Sequence, residues 1–254
     1  MAGSASPRKI RVERSDRRVR VRAGGEWVAD TTSALLMLEQ GLVPVYYLPR
    51  SDVRMELLAP AAKRTRCETK GEAAYYTLRA GTFVAEDAAW SYESPIPGRE
   101  QLSRYISFYW NRVEQWFEED EEIFVHPRDP HKRVDAIRSS RHVRVVIAGE
   151  TVAETTRPVL LFETGLPTRY YLPAQDVRLD LLEPSESRTQ CPYKGVASYH
   201  SVNIGGELFR DVVWSYPSPI PECPKIEGLL AFYNERIELY VDGERQEQPP
   251  RRAR

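Results

Sequence analysis

The chain has 254 residues, of which 41% are apolar and 29% are charged, and its formal net charge is −1. This composition is typical of a soluble globular protein and excludes a chain drawn as a whole to nucleic acid or to an anionic membrane. No apolar run approaches the roughly 18 residues of a membrane helix, and the start of the chain lacks the apolar core of a secretory signal. Three cysteines are too few for a disulfide framework. We therefore expect a cytoplasmic protein without membrane contact.

Alternating apolar and polar residues predict a series of short strands in the first half of the chain. In order, the predicted strands are 19–23, 27–29, 34–38, 45–48, 73–78, 82–84, 88–92 and 106–116. Ser51 with Asp52 is placed to cap a single turn that runs to Leu58, and 101–105 is at most a short helix. About eight short strands separated by proline and glycine turns predict an all-β, sandwich-like domain with short helices.

The second half of the chain repeats the first. When the sequence is shifted by 124 residues, so that Val19 lies over Val143, the copies align without a gap as far as Trp116 over Tyr240. About 43 of these 98 positions are identical, far above chance for this composition. A period above 100 residues is too long for a solenoid unit, so each copy is predicted to be a domain with its own core.

The aligned region sets the expected domain boundaries. We expect the first domain over residues 7–117 and the second over 131–243. Residues 118–130 combine an acidic run with a His-Pro-Arg-Asp-Pro segment, which is typical of a linker. Residues 244–254 form a basic, proline-containing tail that we expect to be disordered and not to bind nucleic acid. Because a tandem chain often imitates a homodimer, we expect the copies to pack as a pseudo-dimer in a monomeric chain.

Several common catalytic motifs are missing from the sequence. There is no phosphate-binding glycine loop, no nucleophile elbow, and no Cys-x-x-Cys or His-x-x-x-His pair that could hold zinc. The four histidines do not occupy matching positions in the two copies, which argues against a shared histidine base. We therefore expect neither a metal ion nor a cofactor.

A polar and aromatic set recurs in both copies within apolar surroundings and supplies the candidate ligand-binding residues. In the first copy they are Glu39, Tyr47, Arg54, Cys67, Lys70, Tyr75, Trp90 and Tyr92, and in the second Glu163, Tyr171, Arg178, Cys191, Lys194, Tyr199, Trp214 and Tyr216. Arginine outnumbers lysine about five to one in this chain, yet Lys70 and Lys194 occupy matching positions, each before a glycine. A compact ammonium group that can be desolvated is therefore a candidate for a specific role, and a turn lysine that pairs with a structural carboxylate is the alternative.

The thiols and carboxylates of this set also have structural alternatives. The two cysteines lie three residues before the lysines, where a cation would lower the thiol pKa, although a small buried core thiol is the favoured interpretation. The two glutamates end apolar runs, where burial would raise their pKa and suit a general acid or base. A salt bridge to Arg54 and Arg178 is the slightly favoured alternative for them.

The aromatic residues are predicted to lie on one face of a sheet. In the Tyr46-Tyr47 pair, one ring should face inward and its neighbour outward, because side chains alternate along a strand. Trp90 and Tyr92 are two residues apart and therefore share a face. Such a face is favoured as core and is otherwise the wall of a ligand site.

Several short motifs of this sequence resemble those of the domain-of-unknown-function family 427. The resemblance rests on Tyr-Tyr-Leu-Pro with Asp52-Val53-Arg54, on 67–71, on Trp90-Ser91-Tyr92, and on their counterparts in the second copy, including Cys191 to Gly195. It covers nearly the whole chain twice and implies β-tent-like domains, in which two antiparallel sheets are joined at one edge and open at the other. The family is sometimes labelled a nucleotidyltransferase, but no clustered aspartate pair recurs in both copies to hold the metal ions of such a reaction. The first copy departs from the family pattern at Glu68-Thr69, so if one copy has decayed, we expect it to be the first.

Three functions stay open at this point. The favoured one is binding of an anionic metabolite or nucleotide-like molecule in the open cleft of each domain, where lysine and arginine pair its charge and aromatic rings flank it. The second is a metal-independent enzyme that uses the same cleft, with Lys194, Glu163 and Tyr171 as acid–base groups and Cys191 as nucleophile. The third is a pseudo-dimeric scaffold that binds another protein.

Overall fold

The computed structural model describes residues 9–250, and the chain divides into two compact units between Asp129 and Pro130. Three predictions concern residues outside this range. They are the start of the first domain at residues 7 and 8, the lack of a secretory signal at the start of the chain, and the end of the disordered tail at 251–254. Within 9–250, every helical segment is a 3-10 turn of three to five residues, and no helix is long and apolar enough to cross a membrane. The prediction of two tandem all-β domains with short helices is confirmed.

The first domain contains eleven strands in its described part, three more than predicted. They are β1 (Ile10–Arg14), β2 (Val19–Ala23), β3 (Glu26–Thr31), β4 (Leu35–Glu39), β5 (Val45–Pro49), β6 (Leu58–Cys67), β7 (Gly71–Ala80), β8 (Phe83–Pro95), β9 (Tyr105–Phe108), β10 (Gln115–Glu118) and β11 (Glu121–Ile123). The 3-10 turns are Arg50–Asp52, Met55–Leu57, Glu100–Arg104 and Trp110–Arg112.

The second domain repeats this series. Its strands are β12 (Val134–Arg138), β13 (Val143–Ile147), β14 (Glu150–Thr155), β15 (Val159–Glu163), β16 (Arg169–Leu172), β17 (Leu182–Cys191), β18 (Gly195–Ile204), β19 (Glu207–Ser215), β20 (Leu230–Phe232), β21 (Glu238–Val241) and β22 (Glu244–Arg245). Its 3-10 turns are Ala174–Asp176, Leu179–Leu181 and Pro224–Ile226.

Each domain is built from one large and one small antiparallel sheet with the same strand order. In the first domain the seven-stranded sheet runs β1-β4-β5-β9-β8-β7-β6 and the four-stranded sheet runs β11-β10-β2-β3. In the second domain the large sheet runs β12-β15-β16-β20-β19-β18-β17 and the small one β14-β13-β21-β22. The duplication seen in the sequence is therefore a duplication of the complete topology.

The main core lies between the two sheets of a domain. In the first domain Val19 and Val21 of the small sheet pack with Leu36, Leu48 and Ile106 of the large sheet. All five are 5% exposed or less, as expected for the apolar positions of strands that alternate inward and outward.

The recurring Asp-Val-Arg word joins the small sheet to the large one. Val53 forms an isolated β-bridge with Ala29 of β3, and Asp52 accepts a hydrogen bond of 2.6 Å from the Thr31 hydroxyl. Asp176 accepts the equivalent bond from Thr155 at 2.7 Å. Asp52 thus links two sheets. Neither the 3-10 turn Arg50–Asp52 nor the turn Met55–Leu57 has a side-chain cap, so the prediction that Ser51 with Asp52 caps a turn is wrong.

A second cluster covers the opposite face of the large sheet. Tyr46 belongs to the core between the sheets, whereas Tyr47 belongs to this second cluster together with Tyr75 and Tyr92. The two tyrosines face opposite ways, as predicted, but both are buried, at 3% and 2% exposure. The expectation that one of them faces outward is corrected because both faces of the large sheet are covered.

Three further expectations are corrected along the chain. The predicted strand 106–116 is two strands, because β9 belongs to the large sheet and β10 to the small one, with a turn between them. The predicted linker begins too early, since β11 pairs with β10 within the first domain. The predicted tail also begins too early, since β22 pairs with β21 and the Gln246 amide donates to the carbonyl of Leu239 at 2.8 Å.

The alignment of the copies slips by one residue near its end. Val21 pairs with Trp116, whereas the matching Val145 pairs with Leu239. Trp116 therefore corresponds to Leu239 in the structure and not to Tyr240. The packing of the two copies as a pseudo-dimer stays a prediction.

Candidate functional site

A pocket of about 160 Å³ opens on the large sheet of the first domain, on the face that points away from the small sheet. Six sequence-predicted residues line it: Glu39, Tyr47, Lys70, Tyr75, Trp90 and Tyr92. The other lining residues are Met37, Leu42, Val43, Val45 and Tyr109. The cleft between the sheets, where the site was expected, is filled by the main core instead.

Aromatic rings form the wall of the pocket. The ring centroids of Trp90 and Tyr109 lie 4.5 Å apart at an interplanar angle of 42°, and Tyr47 meets Trp90 edge-on at 6.3 Å and 85°. Tyr75 lies nearly parallel to Tyr109, with the centroids 6.4 Å apart. The rings therefore present several π-faces to one small space.

Tyr109 was missed as a site residue by the sequence reasoning. It lies one residue after β9, at a position outside the predicted Trp-Ser-Tyr face, and the large sheet brings it against Trp90. Its match in the second copy is Tyr233, which lies 4.5 Å from Trp214 at 43°. The identity of Tyr109 and Tyr233 in the repeat was the signal that could have identified it.

A buried lysine–glutamate pair forms part of the pocket lining. The Lys70 ammonium donates a hydrogen bond to the Glu39 carboxylate, and the two side chains are only 11% and 8% exposed. In the second domain Lys194 donates to Glu163 at 2.5 Å. The carboxylates therefore pair with the lysines, which corrects the expectation that Arg54 and Arg178 would be their partners.

A second lysine reaches the carboxylate in the second domain. Lys132 lies 2.6 Å from the other oxygen of Glu163. Burial alone would raise the pKa of Glu163, but the charge of Lys194 and the hydrogen bonds from both lysines outweigh it and hold the pKa below its usual value. The expected raised pKa is corrected, and Glu163 is held as a carboxylate.

A glycine fixes each lysine in place. Gly71 has a φ of 113°, and a β-carbon there would lie 2.4 Å from the carbonyl oxygen of Ser94. The carbonyl of Lys70 accepts a hydrogen bond of 3.1 Å from the Ile96 amide. Residues 94–97, a Ser-Pro-Ile-Pro segment that recurs at 218–221, thus include the end of β8, and the Lys-Gly corner (Lys70-Gly71) packs against it. Only glycine allows this close approach without strain.

Arg54 and Arg178 do not lie in the pocket. Arg54 pairs with Glu26 and, at 2.8 Å, with Glu56, and Arg178 pairs with Glu150 and Asp180. The backbone amide of Arg54 is bonded to β3 of the small sheet, which directs this part of the chain away from the second face of the large sheet. Their predicted contact with a ligand beside the lysines is corrected.

The comparison with known families agrees with the repeat. The model of a family described as a domain of unknown function, DUF427, matches residues 11–119 and again residues 135–243. The chain belongs to family 427. No curated protein matches it.

The cysteines of this family 427 chain pack in the second cluster of each domain, and Cys67 does not line the pocket. Cys67 packs partly buried against the second cluster, and its sulfur lies 3.2 Å from the Thr69 hydroxyl. Burial alone would raise the thiol pKa, but the hydrogen bonds of Thr69, with a smaller contribution from Lys70, lower it. Cys191 is partly buried in the equivalent cluster, and the unmatched Cys223 is a buried member of it, with a pKa raised by burial.

The buried tyrosines of the family 427 site keep their protons at neutral pH. Burial raises the pKa of Tyr47 and Tyr92 in the first domain and of Tyr171 and Tyr216 in the second. The Trp214 indole donates to the Tyr171 hydroxyl at 3.1 Å. Tyr199, the match of Tyr75, packs in the same cluster. A tyrosine hydroxyl can donate or accept a hydrogen bond.

Metal-ligating side chains do not gather at the site. Among residues 9–250, no group of three or more histidine, cysteine, aspartate or glutamate side chains is arranged to hold a metal ion.

Proposed function

We propose that the first domain of this family 427 protein binds a small organic anion in the pocket on its large sheet. The observation that carries the proposal is a cavity of about 160 Å³ that joins aromatic walls to a buried ammonium group. A dry cavity of about 150 Å³ accommodates benzene, so the pocket suits a molecule of about that size. Apolar walls with a few convergent polar groups are the usual composition of a ligand site.

Lys70 supports the anionic character of the ligand. An ammonium group has three N–H donors, and one of them is used by Glu39. Glu39 holds the ammonium in the pocket lining, and a ligand carboxylate can accept a further hydrogen bond from it. Tyr47, Tyr75 and Tyr92 add hydroxyl groups to the same wall.

Titration with benzoate tests the proposal. Benzoate combines one ring with one carboxylate, so we expect calorimetry to show binding to the wild-type chain. The double variant Lys70→Met with Glu39→Gln removes the ammonium together with the charge of its carboxylate partner, so neither member of this pair stays behind as an unpaired charge. We expect it to weaken binding at least about tenfold, since hydrogen bonds to charged groups contribute about 1.5–3 kcal/mol.

The second domain offers a matched control. Lys194→Met with Glu163→Gln makes the same chemical change in the other copy and should leave benzoate binding unchanged. Equal losses in both variants, or no binding to the wild-type chain, would contradict the proposal.

The enzyme alternative stays a prediction without a specific observation in its favour. A carboxylate held between two lysines, as Glu163 is, is a weak proton acceptor at neutral pH. Turnover lost in Glu163→Gln with ligand binding retained would support an enzyme.

A further inference from the structure

The second domain fills the matching space with one of its own side chains. Arg169 begins β16 and lies on the same face as Tyr171. Its guanidinium carbon is 5.6 Å from the Trp214 ring centroid and 5.8 Å from that of Tyr233. Two hydrogen bonds, of 2.7 and 2.6 Å, bind the guanidinium to the Glu235 carboxylate. This is a planar cation held against two π-faces and fixed by a bidentate ion pair.

The first domain has the same rings without the cation. The position that matches Arg169 is Val45, which lines the pocket, and the position that matches Glu235 is the exposed Asn111. The ring pair itself is unchanged, because Trp90 and Tyr109 have the same centroid distance as their counterparts and an angle within one degree. The pocket is therefore the space that a longer side chain at position 45 would occupy.

We infer that Arg169 is the built-in occupant of the second domain's site and that it shows what the first domain takes up from solution. The structure assigns the first domain's ligand to the small guanidino acids, which are zwitterions. Their planar cation lies on the Trp90 and Tyr109 rings, and their carboxylate supplies the anionic group that faces Lys70. This inference rests on the proposed binding function of the same pocket. Because Asn111 replaces Glu235, the pocket lacks the carboxylate that fixes Arg169, which suits a ligand that exchanges.

Three probes separate the two ends of the ligand. Guanidinoacetate carries both the planar cation and the carboxylate, ureidoacetate replaces the cation with a neutral group of the same shape, and methylguanidinium lacks the carboxylate. In calorimetry on the full chain we expect one guanidinoacetate per chain. We expect ureidoacetate to bind about 5- to 30-fold more weakly, the range of a desolvated cation–π contact, and methylguanidinium at least about tenfold more weakly.

Exchanging residues between the copies tests the role of Arg169. Val45→Arg with Asn111→Glu gives the first domain the occupant of the second and should abolish guanidinoacetate binding. Arg169→Val with Glu235→Asn opens the second domain and should raise the stoichiometry from one to two. Tyr109→Leu is a milder variant, because it removes one of the two rings and leaves Trp90 in place, and it should lower guanidinoacetate affinity part of the way towards that of ureidoacetate.

Each contrary result overturns a stated part of the inference. If ureidoacetate binds as tightly as guanidinoacetate, the assignment of a cation to the aromatic rings is wrong. If methylguanidinium binds as tightly, the assignment of a carboxylate to Lys70 is wrong. A stoichiometry of one in a cooperatively folded Arg169→Val, Glu235→Asn variant overturns the role of Arg169. If benzoate binds and no guanidino probe does, the ligand class is wrong but the proposed function stands; if benzoate also fails, the proposed function itself is wrong.

Discussion

Removing the two lysines that hold Glu163 should expose the cost of its burial. The Glu163 side chain is 5% exposed and lies between Lys194, at 2.5 Å, and Lys132, at 2.6 Å. Removing one partner of a buried pair typically costs about 3–5 kcal/mol. In Lys194→Met the carboxylate keeps Lys132, so we expect the second domain to lose about 2 kcal/mol of unfolding free energy, about half of that cost. In Lys132→Met with Lys194→Met we expect the full cost, about 4 kcal/mol.

The contribution of Glu163 to the unfolding free energy should depend on pH with opposite signs in wild type and in the double variant. The wild-type pKa of Glu163 is below its unfolded value, so this group's contribution is present above about pH 4.3 and is lost as the pH falls through the folded pKa. Without the lysines, burial dominates and raises the folded pKa above the unfolded value. The folded state then binds more protons, and the double variant should gain stability relative to wild type between pH 7 and pH 5.

Native-state hydrogen exchange at both pH values, corrected for the intrinsic exchange rate, measures the free energy within each domain. Amides of β15 and β18 report on the second domain, and those of β4 and β7 serve as an internal reference from the first. Equal destabilisation of the single and the double variant at pH 7 would refute the reasoning. So would a double variant that loses stability relative to wild type when the pH is lowered to 5.

Two further predictions concern the Lys-Gly corner and the thiol beside it. Gly71→Ala should lower the unfolding free energy in urea denaturation by about 3 kcal/mol or more, and Gly195→Ala by about 1–2 kcal/mol. Both glycines have a positive φ, but the new β-carbon lies 2.4 Å from a backbone oxygen at Gly71 and 3.2 Å from one at Gly195. Equal costs would contradict the geometry. The rate at which iodoacetamide alkylates Cys67 should rise with a pH midpoint below the ordinary thiol pKa, and Thr69→Val should move that midpoint upward. Cys223 should resist alkylation in the folded chain. An unchanged midpoint in Thr69→Val would count against the hydrogen bond.

The sequence was sufficient to predict the duplication and the all-β class because both are written in local patterns. The alternation around Val19 and Val21 and the matched words of the two copies are visible without any tertiary contact. Six pocket residues were also found, because they recur in both copies. Trp90 and Tyr92 were placed on one face because they are two apart on a strand. The pairing of Lys70 with Glu39 was present only as the alternative of a turn lysine beside a structural carboxylate.

Other features depended on which strands become neighbours, which local patterns do not specify. Arg54 follows the β-bridge that attaches Val53 to the small sheet, so its recurrence reflects a junction between sheets rather than a ligand contact. Tyr109 enters the pocket because β9 lies beside β8 in the large sheet although a turn separates them in the chain. The expectation of an open cleft between the sheets was wrong for the same reason, since the main core fills that space.

The exposure of the pocket rim differs between the two copies, and this difference bears on which copy binds a ligand. At the rim of the first pocket, Leu42, Val43 and Tyr109 are 51%, 54% and 37% exposed, whereas the matching Leu166, Pro167 and Tyr233 are half-buried. Leaving apolar surface in water is unfavourable by about 25 cal/mol per Å², so covering the rim, as the second domain does, stabilises a domain. An uncovered apolar rim around aromatic walls is typical of a binding site. Although the first copy departs further from the family pattern beside its lysine, its open rim favours it as the copy that binds and the second as the copy that has closed over its own arginine.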